Sequence, residues 1–197
     1  MSALRRTGVA LSLLLAGLAY AAPALAQEGQ EERAFGAGRR VWMDLSAGGY
    51  RIQAGRDDRI VVRWQTDSHS DAREVRVDID ARGSNATIVT RGPRNHFKVV
   101  IELPARTDLT VRLTAGDLRI REITGSKDIS SWAGDIDIEV GRPEEYRSVE
   151  AAVTAGDLSA PAFRVSKGGL FRSFSWRGNG RYDLTVRLTA GDLRLRQ

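Results

Sequence analysis

Carboxylates are the side chains of this sequence best placed to do chemistry, and their spacing is regular. Asp117, Asp135, Asp157 and Asp192 each follow an Ala-Gly pair. Stacked strands would bring some of them about 4.8 Å apart, close enough to chelate calcium or to share a proton as an acid–base pair. The competing role is structural: an aspartate after glycine accepts hydrogen bonds from nearby backbone amides and holds its own turn. Calcium wants roughly six to eight oxygen ligands, and one carboxylate per turn favours the structural role. Asp135, Asp137 and Glu139 form the densest acidic strand. A polysaccharide-cleaving pair there would need carboxyl groups roughly 5–9.5 Å apart, beside an aromatic platform.

The remaining reactive types are sparse. The two histidines, His69 and His96, lie in polar turns outside any G-x-S-x-G or H-E-x-x-H context. There is no cysteine, which removes thiolate nucleophiles and thiolate metal sites. Gly168-Gly169 and Gly178-Asn179-Gly180 do not open helices, so phosphate-loop readings fail. No catalytic, metal or cofactor-binding residue is expected, and no cofactor. The candidate binding surface is instead Trp132, which falls in one outward column with Thr114, Thr154 and Thr189 when the Ala-Gly-Asp segments are aligned. An exposed indole beside threonines and arginines would stack on a sugar ring; the other reading has it covering a coil end or a loop. Trp64, Trp176 and Tyr182 would extend the surface if they faced outward.

The elements that position these residues follow from a repeat. DLTVRLTAGDLRIR at 108–121 returns as DLTVRLTAGDLRLR at 183–196, the mark of stacked supersecondary units. Within the phrase the apolar residues are first odd-numbered, Leu109, Val111 and Leu113, then even-numbered, Leu118 and Ile120. Strand side chains alternate faces, so this change of phase requires a bend. Gly116 supplies it, because glycine reaches positive φ without steric cost. Gly116, Gly134, Gly156 and Gly191, each with its following aspartate, are therefore structural corners, and Ala47-Gly48-Gly49 is a degenerate one. Their intervals of 18, 22 and 35 residues predict two plain coils and one carrying an inserted hairpin with its loop at Arg177 to Arg181. Aligned corners set Arg119 opposite Asp137 and Arg121 opposite Glu139, pairs contributing roughly 0.2–1 kcal/mol each. Upstream, 60–64, 75–79, 86–89 and 97–103 alternate with period two between turn residues. The predicted class is all-β: a β-solenoid or β-helix-like stack with Ala-Gly-Asp corners, preceded by a β-meander, with a β-sandwich as the alternative. Phe171, Phe174 and Trp176 are expected to cover the terminal coil.

Residues 1–26 read as an export signal, with Arg5-Arg6, an apolar run from Val9 to Leu18, and Ala24-Leu25-Ala26 before Gln27. Retention as an uncleaved anchor is the alternative, although the run is shorter than the about 20 residues of a membrane helix. Residues 27–34 are polar and aperiodic and predict a flexible leader; 35–197 form a single domain. The formal charge of +5 falls to +3 without Arg5 and Arg6. The other arginines alternate with acids, unlike the basic stripe of a nucleic-acid binder. What remains is a mild, salt-screened attraction to anionic envelope polymers or lipid headgroups.

Val99-Val100-Ile101-Glu102-Leu103-Pro104, leading into Leu109-Thr110-Val111 and Ala115-Gly116-Asp117-Leu118-Arg119-Ile120, resembles the bacterial "putative adhesin" domain, a family of unknown function also called DUF4097. The later Gly-Asp corners and the segment from Arg181-Tyr182-Asp183-Leu184 to Leu195 resemble it too. The resemblance implies an exported, β-solenoid-like protein of the periplasm or cell surface with no established catalytic residues. The expected function is a non-catalytic, adhesin-like binding or assembly scaffold. Its partner would be an envelope glycan or protein, and end-to-end self-association through the last coil is a further possibility. The alternative is a carbohydrate-active β-helix enzyme acting on an envelope polysaccharide.

Overall fold

The computed structural model describes residues 27–67, 69–93, 95–167 and 170–197; the expected export signal lies outside the described residues. The strands, in chain order, are β1 (Gln27–Ala34), β2 (Arg39–Leu45), β3 (Gly49–Ala54), β4 (Arg59–Thr66), β5 (Arg76–Arg82) and β6 (Asn85–Arg91). There follow β7 (Lys98–Leu103), β8 (Thr107–Ala115), β9 (Leu118–Arg121), β10 (Lys127–Ala133), β11 (Ile136–Glu139) and β12 (Tyr146–Ala155). The last are β13 (Leu158–Ala160), β14 (Val165–Lys167), β15 (Leu170–Arg177), β16 (Tyr182–Ala190) and β17 (Leu193–Arg196). Among the described residues, helix is confined to single turns at His69–Ala72, Pro143–Glu145 and Pro161–Phe163. The protein is all-β, as the two-residue periodicity predicts.

Two mixed sheets, neither of them closed, hold the strands. One runs β1-β4-β7-β3-β9-β11-β17-β13-β14 and the other β15-β12-β16-β10-β8-β2-β6-β5. Six neighbouring strands in each are parallel: β7-β3-β9-β11-β17-β13 and β6-β2-β8-β10-β16-β12. The chain thus makes coils, each contributing one strand to either sheet, and antiparallel strands border the parallel block. The apolar faces of the two sheets meet in one buried cluster. It includes Val41, Met43, Val111, Ile129 and Val186 from one sheet and Ile52, Ile101, Ile120, Ile138 and Leu195 from the other. Each such side chain contributes roughly 1.5–3 kcal/mol on burial. This packing, not a covalent crosslink, holds the described body together.

The corners behave as the phase change requires. Gly116 and Gly134 have φ of 109° and 110°. A Cβ on Gly134 would sit 2.2 Å from the Gly116 carbonyl oxygen, and one on Gly116 would sit 2.0 Å from that of Gly48. Glycine is required twice over, by conformation and by the neighbouring coil's approach. The Gly134 N–H donates to Ala190 O at 2.9 Å and the Gly191 N–H to Ala155 O at 2.9 Å.

Those bonds expose a departure from chain order. Coil β16–β17 lies between β10–β11 and β12–β13 rather than beyond them. The expected hairpin around Arg177–Arg181 does not form, because β15 and β16 lie on opposite flanks of β12. The loop crosses the end of β12 instead: the N–H groups of Gly178, Gly180 and Arg181 donate to the carbonyls of Arg147, Tyr146 and Glu145 at 3.0, 3.1 and 2.9 Å. The last coil in sequence is interior to both sheets, so it is not the coil that presents an open end. Nor is there an upstream meander; of the first seven strands only β5 and β6 pair as sequence neighbours. The others join the stack as parallel strands or flank it.

The polar stretch predicted as a flexible leader is strand β1, paired antiparallel with β4 from Gln27↔Thr66 to Ala34↔Arg59. Its register needs no apolar face, because it is an edge strand held by backbone bonds and by contacts such as Arg63 Nε to Gln30 Oε1 at 2.9 Å. Phe163 closes the core near β15, with its ring centroid 5.5 Å from that of Phe174 and 5.2 Å from that of Trp176. Phe171, expected to help, is 78% exposed.

Candidate functional site

Parallel pairing sets the two copies of the repeated phrase on either side of β10. Leu109, Val111 and Leu113 of β8 and Leu184, Val186 and Leu188 of β16 face Lys127, Ile129 and Ser131 in identical register. Their inward residues are buried, so the outward ones form a lattice on the second sheet. Thr110, Arg112 and Thr114 line one side, Asp128, Ser130 and Trp132 the middle, and Thr185, Arg187 and Thr189 the other. At about 4.8 Å between strands and about 3.3 Å per residue, this patch measures roughly 10 by 13 Å, the scale of one or two sugar rings. Trp132 stands at 70% exposure near the middle of the eight-stranded sheet, not at an end.

The predicted column is therefore assembled, with its order changed. Thr114 and Thr189 flank Trp132 directly, whereas Thr154 lies beyond Thr189 because β16 is inserted before β12. The other aromatics do not extend it. Trp64 packs over Gly29, Trp176 packs on Phe163, and Tyr182 lies 6.3 Å from Tyr146. Six further members, Thr110, Arg112, Asp128, Ser130, Thr185 and Arg187, are not among the residues expected from sequence. Their signal is the outward phase of the same strands, which singles out a charged side chain as readily as a threonine or a tryptophan.

Charge is nearly balanced across this face. Arg187 Nη1 meets Asp128 Oδ1 at 3.1 Å, and Arg91 Nη2 meets Asp44 Oδ2 at 2.9 Å. Beside the patch, a groove of about 420 Å³ is lined by Thr185, Arg187, Glu150, Ala152, Ser173 and Ser175.

The corner aspartates serve the stack differently from the expectation. Asp135 Oδ1 accepts the Asp192 N–H at 3.1 Å, and Asp192 Oδ1 accepts the Asp157 N–H at 3.1 Å. These two carboxylates bond between coils, not within their own turns, because the neighbouring corner presents its amide to each of them. No group of three or more histidine, aspartate or glutamate side chains suited to a metal occurs among the described residues. Asp137 is opposite Arg119 as predicted, yet its ion pairs run diagonally, to Arg121 at 2.8 Å and Arg196 at 2.8 Å. Arg121 thus does not pair with Glu139. Partial burial pushes the Asp137 carboxyl upward, but the two guanidinium groups outweigh it and hold it below the usual carboxylate range. His96 Nδ1 lies 3.4 Å from Asp67 at the surface.

One inward charged residue breaks the pattern. Lys127 is 2% exposed where the flanking strands carry Leu109 and Leu184. Its ammonium donates to Gly125 O at 3.1 Å and Tyr146 Oη at 3.2 Å. Burial pushes it down to about 8, and burial likewise pushes the Tyr146 phenol up.

No family model and no curated protein matches this chain. Among solved structures, a protein of Clostridium sporogenes described as a "putative cell adhesion protein" is similar in fold. It is 12% identical, with a TM-score of 0.54 over 87% of this chain and 100% of the other. A protein of Parabacteroides distasonis described as a "putative adhesin" aligns over 86% of this chain and 70% of its own at 10% identity, with a TM-score of 0.31, a likeness too loose to define a shared fold.

Proposed function

We propose that the chain is a non-catalytic, adhesin-like scaffold of the bacterial envelope whose Trp132 face binds a glycan. A solenoid-like stack and membership of the DUF4097 family belong to the same reading, as do export and the periplasm or cell surface as its location. The single observation behind it is an indole 70% exposed in the middle column of a face otherwise made of hydroxyl and charged groups. Such an aromatic costs water contact in isolation and gains by covering a sugar ring. The description of the Clostridium sporogenes protein is in keeping with this role. No helix among the described residues is long and apolar enough to cross a membrane. Against the rival reading as a polysaccharide-cleaving enzyme, Asp137, one of the three acids of that strand, is engaged by two arginines.

The test is retention of residues 27–197 on immobilised envelope glycans. Trp132→Ala should weaken retention about tenfold, the equivalent of about 1.4 kcal/mol. Retention equal to that of the unaltered chain would remove the platform, and glycan cleavage abolished by changing one carboxylate would replace binding with catalysis.

A further inference from the structure

The charges around Trp132 are satisfied unevenly. Arg187 is held by Asp128, and Asp44 is held by Arg91. Arg112 stands between those pairs, directly opposite Asp44 on β2 and diagonal to Asp128 on β10. Both carboxylates are engaged elsewhere. Among the described residues Arg112 is exposed and has no hydrogen-bond or ion-pair partner. Its planar guanidinium presents a fork of donors matched to a carboxylate or phosphate. On the other side of Trp132 the groove lies past Arg187, where the small Ala152 sits between Arg187 of β16 and Ser173 of β15. Free arginine, indole platform and groove therefore follow one another across β8, β10, β16, β12 and β15. Four strand spacings of about 4.8 Å span about 19 Å, longer than one sugar.

We infer that the occupant is a linear anionic glycan lying across the strands. One ring stacks on Trp132, its anionic group is held by Arg112, and the following sugars enter the groove over Ala152. This rests on the Trp132 reading and adds the charge and direction of the ligand. A neutral polymer would leave Arg112 without a partner.

The probes are a uronic-acid tetrasaccharide and its carboxyl-reduced, neutral counterpart, titrated calorimetrically into residues 27–197. The unaltered chain should prefer the charged form by tenfold or more at low salt, and the preference should shrink as salt rises. Arg112→Gln should abolish the preference. Trp132→Ala should weaken both forms. Ala152→Leu should weaken the tetrasaccharide and leave a monosaccharide uronate unaffected. All three side chains are exposed, and circular dichroism with an unchanged melting temperature checks that each variant folds. No preference in the unaltered chain, or a preference that survives Arg112→Gln, overturns the inference. Trp132-dependent neutral binding without a charge preference would leave the platform standing; absence of binding by either form removes both.

Discussion

Lys127 is the residue least suited to its surroundings. Its folded value of about 8 lies below the ordinary 10.5, so between these two pH values the unfolded chain binds more protons. Stability therefore rises with pH through that window, and at neutral pH the buried charge costs about 3 kcal/mol. Replacing it with leucine, as in the flanking coils, removes that cost but takes a partner from Tyr146 Oη. A net gain of about 1–2 kcal/mol is expected for Lys127→Leu in urea unfolding at pH 7, shrinking towards pH 10. A gain that does not change with pH would mean the lysine is accommodated by something other than its charge state. Trp132→Ala should behave oppositely, altering binding while moving stability by no more than about 0.5 kcal/mol.

At the scale of elements, the corner is the feature most open to direct challenge. Gly134→Ala would press a methyl group against the Gly116 carbonyl and force a positive φ on alanine. A loss of about 3 kcal/mol or more is expected, read as a lower urea midpoint. Gly83 also has positive φ, 56°, but a Cβ there would meet nothing within 4 Å, so Gly83→Ala should cost only about 1–2 kcal/mol. Equal losses at the two sites would show that conformation alone, without the adjacent coil, accounts for the corner. The corners were legible in sequence because a change of alternation phase has few causes. Their stacking order was not: the two copies of the phrase present the same inward and outward residues, and nothing local distinguishes the slot beside β8 from the slot beside β12. The apparent hairpin at Gly178-Asn179-Gly180 failed for a related reason, since turn chemistry reports a reversal but not how many strands it crosses. Edge strand β1 was invisible because an exposed polar strand carries no apolar alternation.

Across the whole molecule, the coil that comes last in sequence sits inside both sheets, so the stack cannot be completed in chain order. Ending the chain at Arg181 would strip partners from β10, β11, β12 and β13 together. Four open strand edges are then exposed, and the shortened protein should elute as concentration-dependent oligomers in size-exclusion chromatography. A monodisperse, folded product would show that the remaining coils close the gap themselves. The near-identity of 108–121 and 183–196 has a kinetic consequence as well. A refolding β10–β11 offers two seats to two occupants of nearly the same sequence, and the tethers assign them together with the outer neighbours β2–β3 and β12–β13. Tethers of this kind act as effective concentrations on the order of millimolar. A free peptide of residues 183–196 supplied above that level would compete for the open seat during refolding. Crowded nascent chains would compete with one another in the same way, so correct assembly of this protein is a matter of dilution as much as of sequence.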